Sequence, residues 1–209
     1  FDILSAMQRL SLDKSATSRI FVGSITDERK NRIRGTFVNS INALTYPHNF
    51  KMIDTTDWWD IPTDIETIVK GRNQLRDYFL SGNYEYFLAI DSDVIIPPDS
   101  IERLISHNKD IVSFKVHFLK NGVEVPAAWK YRFENGVKGF TWEELEKPQL
   151  LKVWGGSLAI VLIKRKVLEE TKFSCPIVER GEDYWFMRDI ENKFEWWLDT
   201  SIRVNHITI

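Results

Sequence analysis

The sequence has 209 residues, of which 43% are hydrophobic and 28% charged, as expected for one sizeable globular domain. Its 28 basic and 30 acidic residues nearly balance, so bulk charge gives no reason to expect a nucleic-acid or anionic-membrane partner. The single cysteine, Cys175, excludes an intramolecular disulfide and a multi-cysteine zinc site, and it suits a reducing compartment.

Membrane insertion is not predicted from the sequence. No run approaches the roughly 20 consecutive apolar residues that a transmembrane helix needs. The N-terminal stretch FDILSAMQRLSLDKS is more polar than a signal peptide. We therefore expect a cytoplasmic protein without a transmembrane segment, forming a single domain over residues 1–209, because no linker, repeat or low-complexity segment divides the chain.

Strands and helices alternate along the first part of the chain. Residues 19–26 predict a strand that ends in small polar residues, among them Ser24. Residues 27–44 predict a helix, because apolar side chains recur at helical spacing from Ile33 to Leu44. The basic residues of this helix are interpreted as a solvated charge run: Arg29, Lys30, Arg32 and Arg34.

A second strand and a second helix follow. Residues 50–54 predict the strand, and the helix is expected to start at Thr63, which has the spacing of a capping box with Glu66. Its apolar stripe contains Ile65, Ile68, Leu75 and Phe79. Two further strands and a short helix are predicted at residues 86–90, 110–116 and 98–108. This alternation indicates an α/β fold with a mostly parallel mixed sheet.

The later part of the sequence is less regular. The apolar run LAIVLI, residues 158–163, predicts a buried strand. Residues 117–128 are interpreted as a loop that contains Gly122 and Pro126. The remaining predicted elements are a helical turn, a helix and a strand at residues 166–171, 182–192 and 196–206.

Two aspartates end the third predicted strand. Asp91 and Asp93 are two residues apart, so in an extended chain their side chains point to the same side. Two adjacent carboxylates repel each other unless a cation lies between them. Mg²⁺ or Mn²⁺ accepts such oxygen ligands. The sequence thus favours a metal site, and the alternative is a pair of solvated turn residues before Pro97.

Arg72 lies in step with the apolar stripe of the second helix. A guanidinium in that position must find an anion or extend to the edge of the helix. A phosphate bound by the planar fork is one partner, and a carboxylate of the protein itself is the other. The sequence leaves both open.

Three more positions are candidates. Glu182 and Asp183 follow Gly181 at a predicted helix start, where one of them would serve as a general base unless both only complement the helix dipole. The pair Gly155-Gly156 would let the backbone approach a ligand, or it is a plain loop. His206 is either a metal ligand or a satisfied core residue.

Together these pieces resemble the glycosyltransferases of the GT-A fold, in particular the inverting, family-2-like enzymes that use nucleotide-sugar donors. The resemblance rests on KGRNQLRDYFLSGNYEYFLAIDSDVIIPPDSIERLI at 70–105, WGGSLAIVLIKRKVLEE at 154–170, GED at 181–183 and NHI at 205–207. It implies a three-layer α/β/α domain of Rossmann-like type. Within it, residues 1–18 form an N-terminal extension, 19–116 a nucleotide-binding half and 117–209 an acceptor-side half.

The resemblance also implies roles for individual residues. Asp91 and Asp93 correspond to the D-x-D motif that holds Mn²⁺ or Mg²⁺ and the donor diphosphate, and His206 to a further metal ligand. Asp183 corresponds to the catalytic base, with Glu182 beside it at the acceptor. The donor-binding residues that it implies are Arg72, Asn73, Ser24, Asp54, Gly155 and Gly156.

The sequence departs from the family pattern in its second strand and near its end. The segment IDTTDWWD, residues 53–60, matches the family's second-strand turn only loosely, which leaves Asp54 and Asp57 as alternatives for binding the base. A Q-x-x-R-W motif is absent, which argues against a processive polysaccharide synthase. The partners expected are a UDP- or GDP-sugar and an acceptor hydroxyl on a protein, lipid or glycan.

Two other functions fit the same residues. One is a catalytically inactive glycosyltransferase-like module that binds a nucleotide or a sugar. The other is a phosphatase of the haloacid dehalogenase type, whose nucleophile motif is also D-x-D after an apolar strand. That motif normally opens its domain, whereas here about ninety residues precede it.

Overall fold

The computed structural model describes residues 18–58, 63–134 and 136–207, and its centre is a seven-stranded mixed sheet with helices on both faces. The strands of this sheet, in spatial order, are β10 (Leu150–Val153), β13 (Trp196–Arg203), β5 (Ile111–Lys115), β12 (Ile160–Lys164), β3 (Tyr86–Ile90), β1 (Ile20–Thr26) and β2 (Asn49–Asp54). The α/β class expected from the alternating pattern is confirmed.

Parallel and antiparallel pairings are equally represented in the sheet. β1 pairs in parallel with β2 and β3, and β13 with β5. β12 lies between β3 and β5 and is antiparallel to both, while β10 is antiparallel to β13. Five of the seven strands (β13, β5, β3, β1 and β2) therefore run in one direction, and β12 and β10 run against them, which agrees with the expected mostly parallel mixed sheet. The reversal of β12 was not predicted, because an apolar run such as LAIVLI indicates burial but carries no information about strand direction.

The helices begin and end close to where the sequence predicted. Thr63 caps its helix as expected, since its hydroxyl accepts a hydrogen bond from the Glu66 backbone N–H at 3.2 Å. The long helix predicted over residues 27–44 is divided into a 3₁₀ turn and an α-helix. The helical elements are η1 (Glu28–Lys30), α1 (Asn31–Asn42), α2 (Asp64–Ser81), α3 (Ser100–Ser106), η2 (Glu143–Leu145), α4 (Arg165–Glu170), η3 (Val178–Arg180) and α5 (Gly181–Ile190).

Alternate residues of the central strands face two separate apolar layers. Val22 and Leu88 pack with α1 and α3, whereas Phe21 and Phe87 pack with α2, α4 and α5. Since successive side chains of a strand point to opposite faces, each layer is buried under its own helices. The carboxyl ends of β1, β2 and β3 lie at one edge of the sheet between these layers.

Shorter strands surround the central sheet: β4 (Val94–Ile95), β6 (His117–Lys120), β7 (Val123–Pro126), β8 (Ala128–Phe133), β9 (Gly136–Gly139), β11 (Gly155–Gly156) and β14 (Asn205–His206). The segment interpreted as a loop at residues 117–128 is a β6–β7 hairpin. Its turn residues, Asn121 and Gly122, both have positive φ, which suits a tight hairpin turn. Within the described ranges, no helix combines the length and the apolar character required to cross a bilayer.

Candidate functional site

Polar groups gather at the carboxyl edge of β1 and β3. The pairing between β1 and β3 ends at Gly23 and Ala89, and the polar residues follow directly after these two positions. Four of their side-chain oxygens are buried without a hydrogen-bond partner among the described residues: Ser24 Oγ, Thr26 Oγ1, Ser92 Oγ and Asp93 Oδ1. Buried polar atoms are almost always satisfied in native proteins, so this concentration marks an edge where water, an ion or a ligand can bind.

The two aspartates of the segment IDSD, residues 90–93, point to different partners. A turn forms immediately after β3, because the Val94 N–H donates to the Asp91 carbonyl oxygen at 3.0 Å. The expectation that both carboxylates leave an extended chain on the same side is therefore wrong. Asp91 lies on the side of α2, and Asp93 faces the start of α1.

Asp91 belongs to a group of charged residues from three elements, which we call the arginine cluster: Arg72 of α2, Asp91 after β3, and Glu182 and Asp183 of α5. Arg72 Nη2 donates to Asp91 Oδ1 at 3.0 Å, and Arg72 Nε donates to Glu182 Oε1 at 3.3 Å. Only 6% of the arginine side chain is exposed. Of the two partners that the sequence left open, the carboxylates are present, so the guanidinium links α5 to the end of β3.

The pKa of Asp183, in the arginine cluster, is strongly shifted. The residue keeps some exposure to solvent, but protein atoms surround its carboxyl group. That burial, reinforced by the negative charges of Glu182 and Asp91 and opposed by Arg72, raises the pKa of Asp183 to about 8. Its Oδ1 accepts a hydrogen bond from the Leu158 backbone N–H at 3.2 Å. A carboxyl poised near neutral pH has the property required of a general base.

Asp93 belongs to a second group, which we call the lysine cluster: Lys30, Asp93 and His206. Lys30 Nζ lies 2.7 Å from Asp93 Oδ2, and His206 Nε2 lies 3.5 Å from Asp93 Oδ1. His206 arrives there because β14 pairs with β4, directly after the aspartates. Its ring is held by a 2.8 Å contact between Nδ1 and the His117 carbonyl oxygen, where Nδ1 donates.

The charges of the lysine cluster favour ionisation of Asp93. Burial alone would raise the pKa of this carboxyl, but His206 and Lys30 outweigh it and hold the pKa below its ordinary value. In return, Asp93 raises the pKa of His206 against the opposing effect of burial. The two clusters thus have opposite character, since Asp183 tends to be protonated and Asp93 to be ionised.

Several side chains at this edge carry atoms that can coordinate a hard divalent cation. Asp91 and Asp93 supply two carboxylates, which are the ligands that Mn²⁺ and Mg²⁺ prefer, and His206 adds an imidazole. Asp93 Oδ1 is buried and makes no hydrogen bond to a described residue. Within the described ranges, however, no three histidine, cysteine or acidic side chains surround a common point. The ligand types suit the ion, but each carboxylate already forms an ion pair within the protein, Asp91 with Arg72 and Asp93 with Lys30.

Two residues expected to bind the nucleotide have partners within the protein. The Asn73 amide makes two hydrogen bonds to the Phe173 backbone, donating to its carbonyl oxygen at 2.8 Å and accepting from its N–H at 3.1 Å. Asp54 Oδ2 lies 2.9 Å from Arg34 Nη2, and its Oδ1 accepts hydrogen bonds from Thr56. Asn73 therefore fastens α2 to the segment after α4, and Asp54 stabilises the turn after β2.

Packing explains the first of the two paired glycines. A Cβ on Gly155 would collide with the Met187 side chain of α5, whereas one on Gly156 would approach no atom closer than 3.4 Å. Both residues are buried in β11, which pairs with β8. Gly155 thus lets α5, with Glu182 and Asp183 in its first turn, lie close to β11, and neither glycine forms the plain loop considered as the alternative.

Lys30 and Arg34 are the residues that the sequence analysis missed. Both were assigned to a solvated charge run, yet Lys30 pairs with Asp93 and Arg34 with Asp54. The available signal was their position: basic side chains in the first turns after a parallel strand lie above the edge where ligands bind in α/β sheets. Amphipathic spacing alone could not distinguish that edge from open solvent.

Comparison with known proteins provides a fold and no function. No protein-family model and no curated protein matches the sequence. Among solved structures, the chain is similar to the crystal structure of A197 from STIV, with a TM-score of 0.57 and 14% sequence identity. The match covers 91% of this chain and 86% of that chain. At this level of identity the similarity concerns the fold alone, and it defines the protein as a mixed α/β domain.

Proposed function

We propose that the protein is a metal-dependent glycosyltransferase of the GT-A fold that transfers a sugar, with inversion, from a nucleoside diphosphate donor to an acceptor hydroxyl. The observation that carries the proposal is the meeting of Asp91, Asp93, His206 and Asp183 at one edge of the sheet. They come from three distant parts of the sequence, in the order that the family resemblance requires.

Asp183 is assigned as the general base. A base that removes a proton from an acceptor hydroxyl works best when its pKa lies near the working pH, and the pKa of Asp183 is raised to about 8. The hydrogen bond from the Leu158 N–H leaves the second carboxylate oxygen, Oδ2, to take up the acceptor proton. Attack on the anomeric carbon from the face opposite the leaving group then inverts its configuration.

Arg72 and Glu182 position the reacting groups. Because Arg72 donates to Asp91 and Glu182 together, it sets the distance between the end of β3 and the first turn of α5. Glu182 also raises the pKa of Asp183 through its negative charge, second in effect to burial. We assign Glu182 to the acceptor side and Arg72 to the support of both carboxylates.

Asp91, Asp93 and His206 are the residues assigned to hold Mn²⁺ or Mg²⁺. When bound, such an ion would neutralise the charge that develops on the departing nucleoside diphosphate. His206 must present a neutral Nε2 for this purpose, and its Nδ1–H is already donated to the His117 carbonyl. That backbone bond therefore selects the tautomer that metal binding needs.

Calorimetry with UDP and GDP, with and without Mn²⁺, tests the proposal. We expect metal-dependent binding of at least one nucleotide, its loss in Asp93→Ala, and its retention in the matched control Asp99→Ala, whose carboxylate pairs with Arg103 on the exposed surface of α3. A thermal-shift screen of nucleotide sugars with Mn²⁺ would then identify the donor, because binding to the folded state raises Tm. Equal nucleotide affinity with and without metal would contradict the assignment.

One observation favours a non-catalytic binding module as the second candidate. Both aspartates of the IDSD segment already have a cationic partner from the protein, Arg72 or Lys30. Release of free nucleoside diphosphate from the donor, lost in Asp183→Asn while donor binding is retained, would exclude that candidate. Product NMR would test inversion, and hydrolysis of p-nitrophenyl phosphate would indicate the phosphatase instead.

A further inference from the structure

Lys30 holds the position of a counter-cation at Asp93. Its Nζ lies 2.7 Å from Asp93 Oδ2, and the lysine and aspartate side chains are 24% and 12% exposed. A buried carboxylate requires a positive charge nearby to remain ionised. Lys30 provides that charge from the start of α1, in competition with any divalent ion that uses the same carboxylate.

The backbone around Lys30 is held by contacts that do not involve its ammonium group. The Lys30 N–H donates to the Asp27 carbonyl oxygen at 3.1 Å, and Arg34, one turn later, pairs with Asp54. Asp27 is itself bonded to Arg29. The flexible four-carbon stem can therefore move without any change in the helix that carries it.

We propose that Lys30 is an exchangeable counter-cation, which neutralises Asp93 when no metal is bound and turns to the donor diphosphate when a metal is bound. This inference rests on the proposed function, because it takes Asp93 to be a metal ligand. A divalent ion and an ammonium group repel each other strongly at a separation of a few ångströms. The carboxylates bonded to the neighbouring Arg29 and Arg34 already have cationic partners, and the proposed function places a donor diphosphate beside the metal, where the displaced ammonium group would meet it.

The exchange predicts that removing the Lys30 charge changes the affinities for Mn²⁺ and for nucleoside diphosphate in opposite directions. Removing the Lys30 charge should strengthen the binding of Mn²⁺ alone, since the ion no longer displaces an ammonium group. The same change should weaken the binding of nucleoside diphosphate in excess Mn²⁺, since the diphosphate loses a cationic partner. A residue that only maintained the local fold would weaken both, and a solvated surface charge would affect both slightly.

The test compares Lys30→Met with Arg32→Met by calorimetry, first with Mn²⁺ alone and then with UDP and GDP in excess Mn²⁺. Arg32 is an exposed residue two positions away, for which no ion pair is found among the described residues, so its replacement gives the same change in charge. We expect Lys30→Met to bind Mn²⁺ about tenfold more tightly and the nucleotide about tenfold more weakly at low ionic strength. Lys30→Arg should stay near the wild-type values.

The possible outcomes distinguish failure of the Lys30 exchange from failure of the proposed metal-dependent function. Opposite changes in Lys30→Met, with less than about twofold change in Arg32→Met, support the exchange. Wild-type affinity of Lys30→Met for Mn²⁺, or weakened binding of the metal, overturns the exchange while leaving the metal site intact. If wild-type protein and Lys30→Met both fail to bind Mn²⁺, the proposed metal-dependent function falls, and the exchange falls with it.

Discussion

The arginine cluster and the lysine cluster use the same kinds of side chain in different ways. Arg72 is 6% exposed and donates to carboxylates on two elements, so three segments would have to separate before the guanidinium could leave. Lys30 is 24% exposed and contacts one carboxylate through a flexible stem. The difference indicates that the first cation is part of the framework, whereas the second can be replaced by a ligand.

Replacing Arg72 should reveal this framework role with the largest effect on stability. Arg72→Met removes the one cation that faces Asp91 and Glu182 in the arginine cluster and leaves their charges uncompensated. Breaking a buried ion pair by removing one partner typically costs about 3–5 kcal/mol in the free energy of unfolding, which urea denaturation measures. The control Arg29→Met removes exposed pairs with Asp27 and Asp64 and should cost less than about 1 kcal/mol.

A loss of similar size in the two variants would contradict the comparison. It would mean that Arg72 is as replaceable as a surface arginine and that α5 keeps its position without the guanidinium. Asp91 and Glu182 would then not depend on Arg72 for their separation, and the positioning role assigned to this residue would fail.

Local patterns in the sequence predicted most elements of the fold. The capping box at Thr63, the apolar stripe of α2 and the apolar run of β3 each depend on residues close in sequence, and each predicts its element correctly. The antiparallel direction of β12 depends on how a distant part of the chain returns to the sheet. No local pattern in LAIVLI encodes that return, so the strand was predictable and its direction was not.

The candidate site was predictable as a set of residues but not as a geometry. The sequence singled out Asp91, Asp93, Asp183 and His206 as candidates, and the structure brings them to one region. It could not indicate the turn that separates the two aspartates, because D-S-D followed by apolar residues is compatible with extended chain as well. Nor could it assign Lys30, because a basic residue on a polar helix face has the same pattern whether it meets solvent or a carboxylate from another element.

Gly155 offers a way to disturb the arginine cluster alone. Gly155→Ala would place a methyl group against Met187 and push α5 away from β11, at an expected cost of about 1–3 kcal/mol, typical of overpacking. Gly156→Ala, whose Cβ would meet its nearest atoms at ordinary contact distances of 3.4 Å or more, is the matched control in thermal unfolding. We expect Gly155→Ala to retain the Mn²⁺ affinity of the wild type, because none of the three proposed ligands, Asp91, Asp93 and His206, is carried by α5. A large loss of Mn²⁺ affinity would show that the two clusters are coupled.

The smallest predicted effect, and the one that separates the two clusters most directly, is the dependence of stability on pH. The pKa of Asp183 is raised to about 8 from 3.8, so between these values the folded protein binds a proton that the unfolded chain has lost. Its contribution to stability therefore falls as the pH rises from about 4 to about 8. Asp93 behaves in the opposite way, since its lowered pKa contributes stability above the unfolded pKa that is lost as the pH falls.

Thermal unfolding of Asp183→Asn and Asp93→Asn in metal-free buffer measures both directions with the same chemical change. At pH 8.5 we expect Tm about 4 °C above the wild type for Asp183→Asn and about 2 °C below it for Asp93→Asn. The difference for Asp183→Asn should disappear near pH 4, where both forms are uncharged at this position, and the Leu158 N–H can still donate to the asparagine oxygen. If the two variants shifted Tm in the same direction at pH 8.5, the opposite charge states assigned to Asp183 and Asp93 would be wrong.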